Sequence, residues 1–412
     1  MNTKTKQNRR VVITGLGVVS SLGIGWQEFW KNLIAGKSGI SRITSFDTSN
    51  YERHYAGEIK NFSSKKFIDE RKLHYMGRAS QMAITASKLA LDDASFNGTI
   101  SNSNDWAVCI GTTMGEPQVM EKLDNKYFPK GRKVIYDNIS STIYSPNSIS
   151  VQVAMNLDLH GCNRLYSSAC AAGNYTIAQA FDLIRTGRYG FVLAGGADSF
   201  SRIAFTGFGR LFVIAPQMCQ PFDKNRKGMI PGEGAGIVVL ESLESAQRRH
   251  AHIYAEVLGC GFSCDAYHMT EPRFGGISKA IEKALISSKV DKENVDYISA
   301  HGTGTKENDK VECASLSQVF GKKLSNIPVS SIKSMLGHTM GAASALEAIS
   351  CCLAIKNGEI PPTINFHERD PECDINCVPN KSIKKKIKIA LNNSLAFGGN
   401  NACLVLKNIN VI

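Results

Sequence analysis

The chain has no long apolar run: nowhere in its 412 residues does hydrophobicity persist over the roughly 20 positions that a bilayer-spanning helix needs. Residues 1–10 are polar and basic, with no apolar core of the kind a secretory signal carries. The expectation is a cytosolic protein, with no membrane contact and a flexible N-terminus over residues 1–10.

A paired CxxC spacing is also missing, although there are 12 cysteines. Spacings such as Cys260 with Cys264 and Cys373 with Cys377 are wrong for a zinc site, so no metal is expected and the cysteines read as free thiols. A dinucleotide fingerprint is absent too: Val11-Val12-Ile13-Thr14 runs as a strand into a Gly15-Leu16-Gly17 turn, but Ser20 stands where the motif needs glycine. Nor is there a tract of one charge sign. Against 48 Lys and Arg stand 36 interspersed Asp and Glu, for a net charge of +12, without a basic helix or aromatic-basic alternation, which disfavours nucleic acid. Lys384-Lys385-Lys386 and Arg248-Arg249 read as solvated surface, or as patches that steer an acidic macromolecular partner.

What is present is an ordinary globular composition, 43% hydrophobic and 20% charged, and a repeat. Continuous apolar strands alternate with helices, among them amphipathic segments at 26–35 and 80–94, which predicts α/β sheets covered on both faces. From about residue 250 the pattern restarts. Residues 255–263 echo 13–20, Asp296 to Thr303 echo Asp105 to Thr112, the helix at 340–354 echoes one beginning near Cys170, and residues 393–400 echo 193–196. The reading is two homologous halves, 11–249 and 250–412, packed on each other. Longer insertions in the first half, 127–156 and 200–231, suit a tunnel, lid or partner interface.

Ser168-Ala169-Cys170-Ala171-Ala172-Gly173 opens a segment in which Ile177, Ala180, Phe181 and Ile184 recur at helical spacing. A cysteine in the first turn of a buried helix sits where unpaired N–H groups and the helix dipole favour its anion, the reactive form. Most buried cysteines are inert core. Here two histidines in Gly/Ser/Thr-rich turns keep it company: His301-Gly302-Thr303-Gly304-Thr305 and Lys333-Ser334-Met335-Leu336-Gly337-His338.

These motifs, with Pro221-Phe222-Asp223, Gly232-Glu233-Gly234-Ala235-Gly236, Asp265-Ala266-Tyr267-His268-Met269-Thr270 and Phe397-Gly398-Gly399, resemble the type II β-ketoacyl-acyl carrier protein synthases from about Arg10 to Lys407. The resemblance implies a thiolase-like fold, a duplicated αβαβα arrangement of five layers. It also implies site residues. Cys170 would take an acyl chain from the phosphopantetheine arm of acyl carrier protein, so no cofactor of the enzyme's own is expected. The backbone N–H groups of Cys170 and Phe397 would form an oxyanion hole, and neutral His301 and His338 would stabilise the enolate left when a malonyl unit loses carbon dioxide. Lys333 would organise the site, paired with Glu347. Glu312 would join this charge network, with an exposed helical glutamate as the plain alternative. Thr303 and Thr305 would bind the pantetheine arm, and Phe397 and Phe208 would gate the cavity. His268 falls in a shared motif without an evident chemical role.

Two stretches depart from the family pattern. Leu395-Ala396-Phe397-Gly398-Gly399-Asn400-Asn401 replaces the usual FGFGGTN, and Gly115-Glu116-Pro117-Gln118 places polar and rigid residues where the acyl pocket is expected, with Gln118 lining it. That pocket would fit a long saturated chain poorly, so the reading leans to the ketosynthase of a type II polyketide pathway. The partner would then be an acidic acyl carrier protein on a basic surface, in a homodimer or in a heterodimer with a chain-length factor. Housekeeping fatty-acid elongation is the alternative, and a non-catalytic partner a remote one. A thiolase is disfavoured because Phe397-Gly398-Gly399 stands where that family has a second reactive cysteine.

Overall fold

The computed structural model describes residues 8–96, 100, 102–127 and 138–409. Residues 1–7 of the expected flexible N-terminus, and 128–137 of the first insertion, lie outside them.

Ten main strands form one sheet: β1 (Val11–Ser20), β2 (Trp106–Gly111), β3 (Asn163–Tyr166), β4 (Phe191–Asp198), β5 (Gly234–Ser242), β6 (Ala255–Cys264), β7 (Tyr297–Ser299), β8 (Val329–Ser330), β9 (Ile389–Ser394) and β10 (Asn400–Lys407). Their spatial order is β8-β7-β9-β10-β6-β1-β5-β4-β2-β3, with the short strand Gly23–Ile24 attached to β1. Counted outward from the β1/β6 seam, each strand of the first half meets its counterpart five places on. Directions repeat as well: the two innermost pairings of each half are antiparallel and the two outermost parallel.

The helices that matter here are α1 (Trp26–Ile34), α2 (Arg78–Asp93), α3 (Ser148–Leu157), α4 (Ala172–Arg185), α5 (Arg202–Arg210), α6 (Phe274–Ser288), α7 (Lys306–Phe320) and α8 (Ala343–Asn357). Helices α4 and α8 touch strands of both halves and each other, whereas α2 and α3 cover the outer face of the first half and α6, with α7 packed on it, that of the second. The seam is short, three residue pairs from Val11↔Val257 to Ile13↔Ala255, so beyond it the two half-sheets diverge and the central helices fill the space. The result is the expected five layers. Every α8 residue from Ala343 to Ile355 is buried, the all-round apolar character of a helix with no solvent face. The core accordingly divides into a central cluster around α4 and α8 and an outer cluster on each half.

The Gly15-Leu16-Gly17 turn expected from the sequence does not form. Gly15 and Gly17 lie inside β1, which has an irregular register between Ile13 and Gly15; Gly195 and Gly196 lie inside β4. Their purpose is close packing. A Cβ at Gly17 would stand 1.8 Å from the carbonyl oxygen of Ala86 on α2, and one at the repeat-related Gly261 2.1 Å from that of Ala280 on α6. Each half thus presses a helix onto its inner strand at a distance only glycine permits.

Candidate active site

Strand β3 ends at Tyr166, and the chain enters α4 through a tight turn, Ala169–Ala171. Cys170 sits in that turn, just ahead of the helix, and is 6% exposed. Burial pushes its thiol up to about 11, opposed by Lys333 and by the backbone N–H groups of Phe397 and of Cys170 itself, which face the sulfur. Two backbone donors therefore converge on the Cys170 sulfur.

Both histidines follow strands of the second half, His301 after β7 and His338 after β8 and a short helical turn, Lys333–Leu336. Their rings lie 5.4 Å apart and nearly perpendicular. Burial, and then the charge of Lys333, hold both well below the usual imidazole value of 6.5, so both are neutral. Their hydrogen bonds also assign the tautomer. The Met340 N–H donates to Nδ1 of His338 at 3.0 Å, and Nδ1 of His301 lies 3.4 Å from the Lys333 Nζ, a group that only donates. In each ring the proton is left on Nε2, and both rings line the cavity that holds Cys170. The site thus presents two neutral N–H donors beside a buried thiol.

Lys333 is 1% exposed and forms a buried ion pair with Glu347; its Nζ also donates to the His301 carbonyl oxygen at 2.7 Å. Burial pushes Glu347 up to about 7 against the pull of Lys333. Glu312, on α7, is fully buried, so the exposed-glutamate alternative does not hold. Its carboxylate accepts from the N–H groups of His301 and Gly302, both at 2.8 Å, and from the Asn393 amide at 2.7 Å. Sequence reasoning missed Asn393, although it immediately precedes the strand end that leads into the Phe397 loop.

The Cys170 cavity measures about 530 Å³. Thr303 and Thr305 line one wall with their hydroxyl oxygens 2.9 Å apart. Phe208, on α5, and Phe397 line another with ring centres 5.9 Å apart. Exposed His268 also reaches this cavity, its Nδ1 accepting from the N–H groups of Thr270 and Glu271. The surrounding motif anchors the Phe397 loop. The Gly398 N–H donates to the Met269 carbonyl, and Asp265 donates its N–H to Gly399 while accepting from the Asn401 amide.

Gln118 is not part of this cavity. Its amide donates to the Phe200 carbonyl at 2.6 Å, and it lines a separate cavity with Arg78, Glu121 and Arg202. Glu116 is likewise diverted. Helix α2 begins after Gly77, which has no side chain to cap it, and the Glu116 carboxylate takes that place, accepting from the N–H groups of Ala79 and Ser80. The polar residues assigned to an acyl-pocket floor serve a helix end and a neighbouring loop.

Family models for the β-ketoacyl synthase N-terminal and C-terminal domains match residues 8–246 and 254–367. The chain belongs to the β-ketoacyl synthase family. It is a condensing acyltransferase, a ketosynthase. Among relatives, it is 37% identical to the 3-oxoacyl-[acyl-carrier-protein] synthase 2 of Staphylococcus aureus (strain COL), over 97% of this chain and 99% of that protein. A synthase of the same name from Synechocystis sp. is 37% identical over 97% and 98%. Among solved structures, the ishigamide ketosynthase/chain length factor superposes with a TM-score of 0.95 at 44% identity, covering 97% of this ketosynthase and 99% of that chain. A type II PKS acyl-carrier protein in complex with its ketosynthase bound to the hexaketide gives 0.90 at 31%, covering 98% and 100%. Among the described residues no helix is long and apolar enough to cross a membrane.

Proposed function

We propose that this ketosynthase extends acyl chains carried by acyl carrier protein in a type II polyketide pathway, with Cys170 as the acylated nucleophile. The supporting observation is the 44% identity with the ishigamide ketosynthase/chain length factor across nearly the whole of both chains, against 37% with the synthases of Staphylococcus aureus and Synechocystis. Gln118, lying outside the Cys170 cavity, contributes no argument from pocket polarity.

In the proposed reaction the Cys170 sulfur attacks the acyl thioester, and the collapsing tetrahedral intermediate expels the carrier's pantetheine thiol. The N–H groups of Cys170 and Phe397 hold the oxyanion. Malonyl carrier then enters past Phe208 and Phe397, with its pantetheine arm along Thr303 and Thr305. Loss of carbon dioxide leaves an enolate whose oxygen accepts from Nε2–H of His301 and His338. Because both imidazoles are neutral, neither offers a readily lost proton to quench the carbanion. The carbanion attacks the Cys170 thioester and releases the thiolate, forming the β-ketoacyl chain on the carrier. No bound cofactor is needed, since the pantetheine arrives on the carrier. An acidic carrier drawn by the basic excess, and a chain-length-factor homologue as the second subunit, complete the reading. Because this chain retains Cys170, it is the catalytic member of such a pair. Fatty-acid elongation is the second reading, favoured by the 3-oxoacyl-[acyl-carrier-protein] synthase 2 relatives.

The test is intact-protein mass spectrometry with acyl and malonyl carrier proteins, with and without a homologous partner. Polyketide synthesis predicts poly-β-keto or polyene products, dependent on the partner. Steady extension of long saturated chains by this protein alone would instead establish the elongation reading. Cys170→Ala should abolish the acyl mass gain, whereas His301→Ala and His338→Ala should keep it and lose condensation.

A further inference from the structure

We propose that Asp198, at the end of β4, is a positioning residue: it holds the Met340-Gly341 turn across the interface between the halves and thereby fixes the tautomer of His338. The proposal rests on the enolate role given to His338 and adds the group that sets that role.

The two halves have equivalent turns ahead of their central helices. Ala169-Cys170-Ala171 leads into α4 and Met340-Gly341-Ala342 into α8, so Gly341 is the counterpart of Cys170. The first residue of each turn is left-handed without being glycine, Ala169 at φ 46° and Met340 at φ 52°. Such backbone persists only where its surroundings impose it. Each turn is gripped by the opposite half. Ser394, the last residue of β9, donates its hydroxyl to the Cys170 carbonyl at 3.2 Å. Asp198, the last residue of the equivalent strand β4, accepts the Gly341 N–H at 2.6 Å.

Asp198 is fully buried, and its other contacts are all donors from its own half: the Thr112 hydroxyl at 2.7 Å, the Thr113 N–H at 2.7 Å and the Met114 N–H at 3.2 Å. Four donors on one carboxylate leave it no freedom to move. The fit is also steric, because a Cβ on Gly341 would lie 2.6 Å from Oδ2 of Asp198 and 2.7 Å from the Thr112 backbone. The Met340-Gly341 peptide is therefore pinned on one side, and on the other the Met340 N–H meets Nδ1 of His338. Loss of the Asp198 grip lets the left-handed turn relax, withdraws that N–H and frees the imidazole to move its proton to Nδ1.

Asp198→Asn tests this with little change of volume. Whichever way the amide is placed, its NH2 faces at least one N–H that itself donates, those of Thr113 and Gly341 at one position and that of Met114 at the other, and the loss of charge weakens the Gly341 bond in either placement. The direct readout is the 15N NMR signature of His338 in histidine-labelled protein, assigned with His338→Gln. The wild type should show a protonated Nε2 and a bare Nδ1, and Asp198→Asn should show a mixture or the reverse. Carbon dioxide release from malonyl carrier should fall on the order of 10²-fold, the loss typical of a misplaced oxyanion donor, with a much smaller change in the rate of Cys170 acylation. A wild-type His338 protonated on Nδ1, or a variant with wild-type tautomer populations, overturns the proposal. Should Asp198→Asn not fold, Thr112→Val removes one of the donors that locks the carboxylate, and a His338 signal identical to wild type in that variant overturns it equally. The NMR readout needs no turnover, so a wild type that neither acylates nor decarboxylates would refute the proposed function separately.

Discussion

Cys170 and its neighbours carry charges that work against one another, and the balance can be measured. With burial holding the thiol up at about 11, alkylation of Cys170 by iodoacetamide, followed on its own peptide, should rise about tenfold per pH unit between roughly pH 7 and 9. A plateau near neutrality would show that the thiolate is already formed. For the histidines the sign is opposite. Both imidazoles are held well below 6.5, so neither ring should take up a proton as pH falls from about 7.5 to about 6, and a 15N signal of either ring that titrates with a midpoint near 6.5 would contradict the assignment. In that range the unfolded chain binds protons that the folded site refuses, so these two residues also withdraw stability as pH falls through 6.5. Replacing Lys333 by Met strands the Glu347 carboxylate, at a cost of about 3–5 kcal/mol; the double variant Lys333→Met/Glu347→Leu should recover much of it in chemical denaturation. Of this site, Cys170, His301 and His338 are legible in sequence because nucleophile and donors must be those residue types in small-residue turns. Gln118 and Glu116 mislead because nothing local shows that helix α2 lacks a cap, and that lack decides where Glu116 points.

At the scale of single elements, glycine separates two kinds of packing. Gly17→Ala and Gly261→Ala drive a methyl into the helix backbone behind β1 and β6, and each should cost at least the 1–3 kcal/mol typical of overpacking, read as a lower denaturation midpoint or insoluble protein. Gly207, inside α5, has nothing within 4 Å of the place a methyl would occupy, so Gly207→Ala should stabilise that helix by about 0.5–1 kcal/mol. If Gly207→Ala destabilised the protein, the open surroundings of α5 would be misjudged. The strands and helices are readable from apolar runs and 3.6-residue spacing. The Gly-x-Gly pairs are not, because glycine marks a turn and a close approach alike, and only the helix packed against the strand distinguishes them.

For the whole molecule, the repeat in the sequence corresponds to the palindromic strand order, since each half must cover both faces of its own sheet. The placing of Cys170 in one half and of His301 and His338 in the other is legible from the bounds of the repeat; what the pattern does not reveal is that each half grips the other's turn, Ser394 that of Cys170 and Asp198 that of Gly341. The excess of 12 positive charges yields a further prediction. If an acidic carrier is steered by it, raising salt should raise KM for carrier-bound substrates severalfold and leave KM for acyl-pantetheine unchanged; equal effects on both would remove the steering argument. The strand order also has a consequence for synthesis. Strand β10 follows every other strand in the chain, yet it lies between β9 and β6, next to the seam. On the ribosome, the nascent protein carries two unsatisfied strand edges at its centre until that segment has left the exit tunnel. A premature stop within β10 therefore yields an adhesive, aggregation-prone fragment, because the facing edges of β6 and β9 stay open without it.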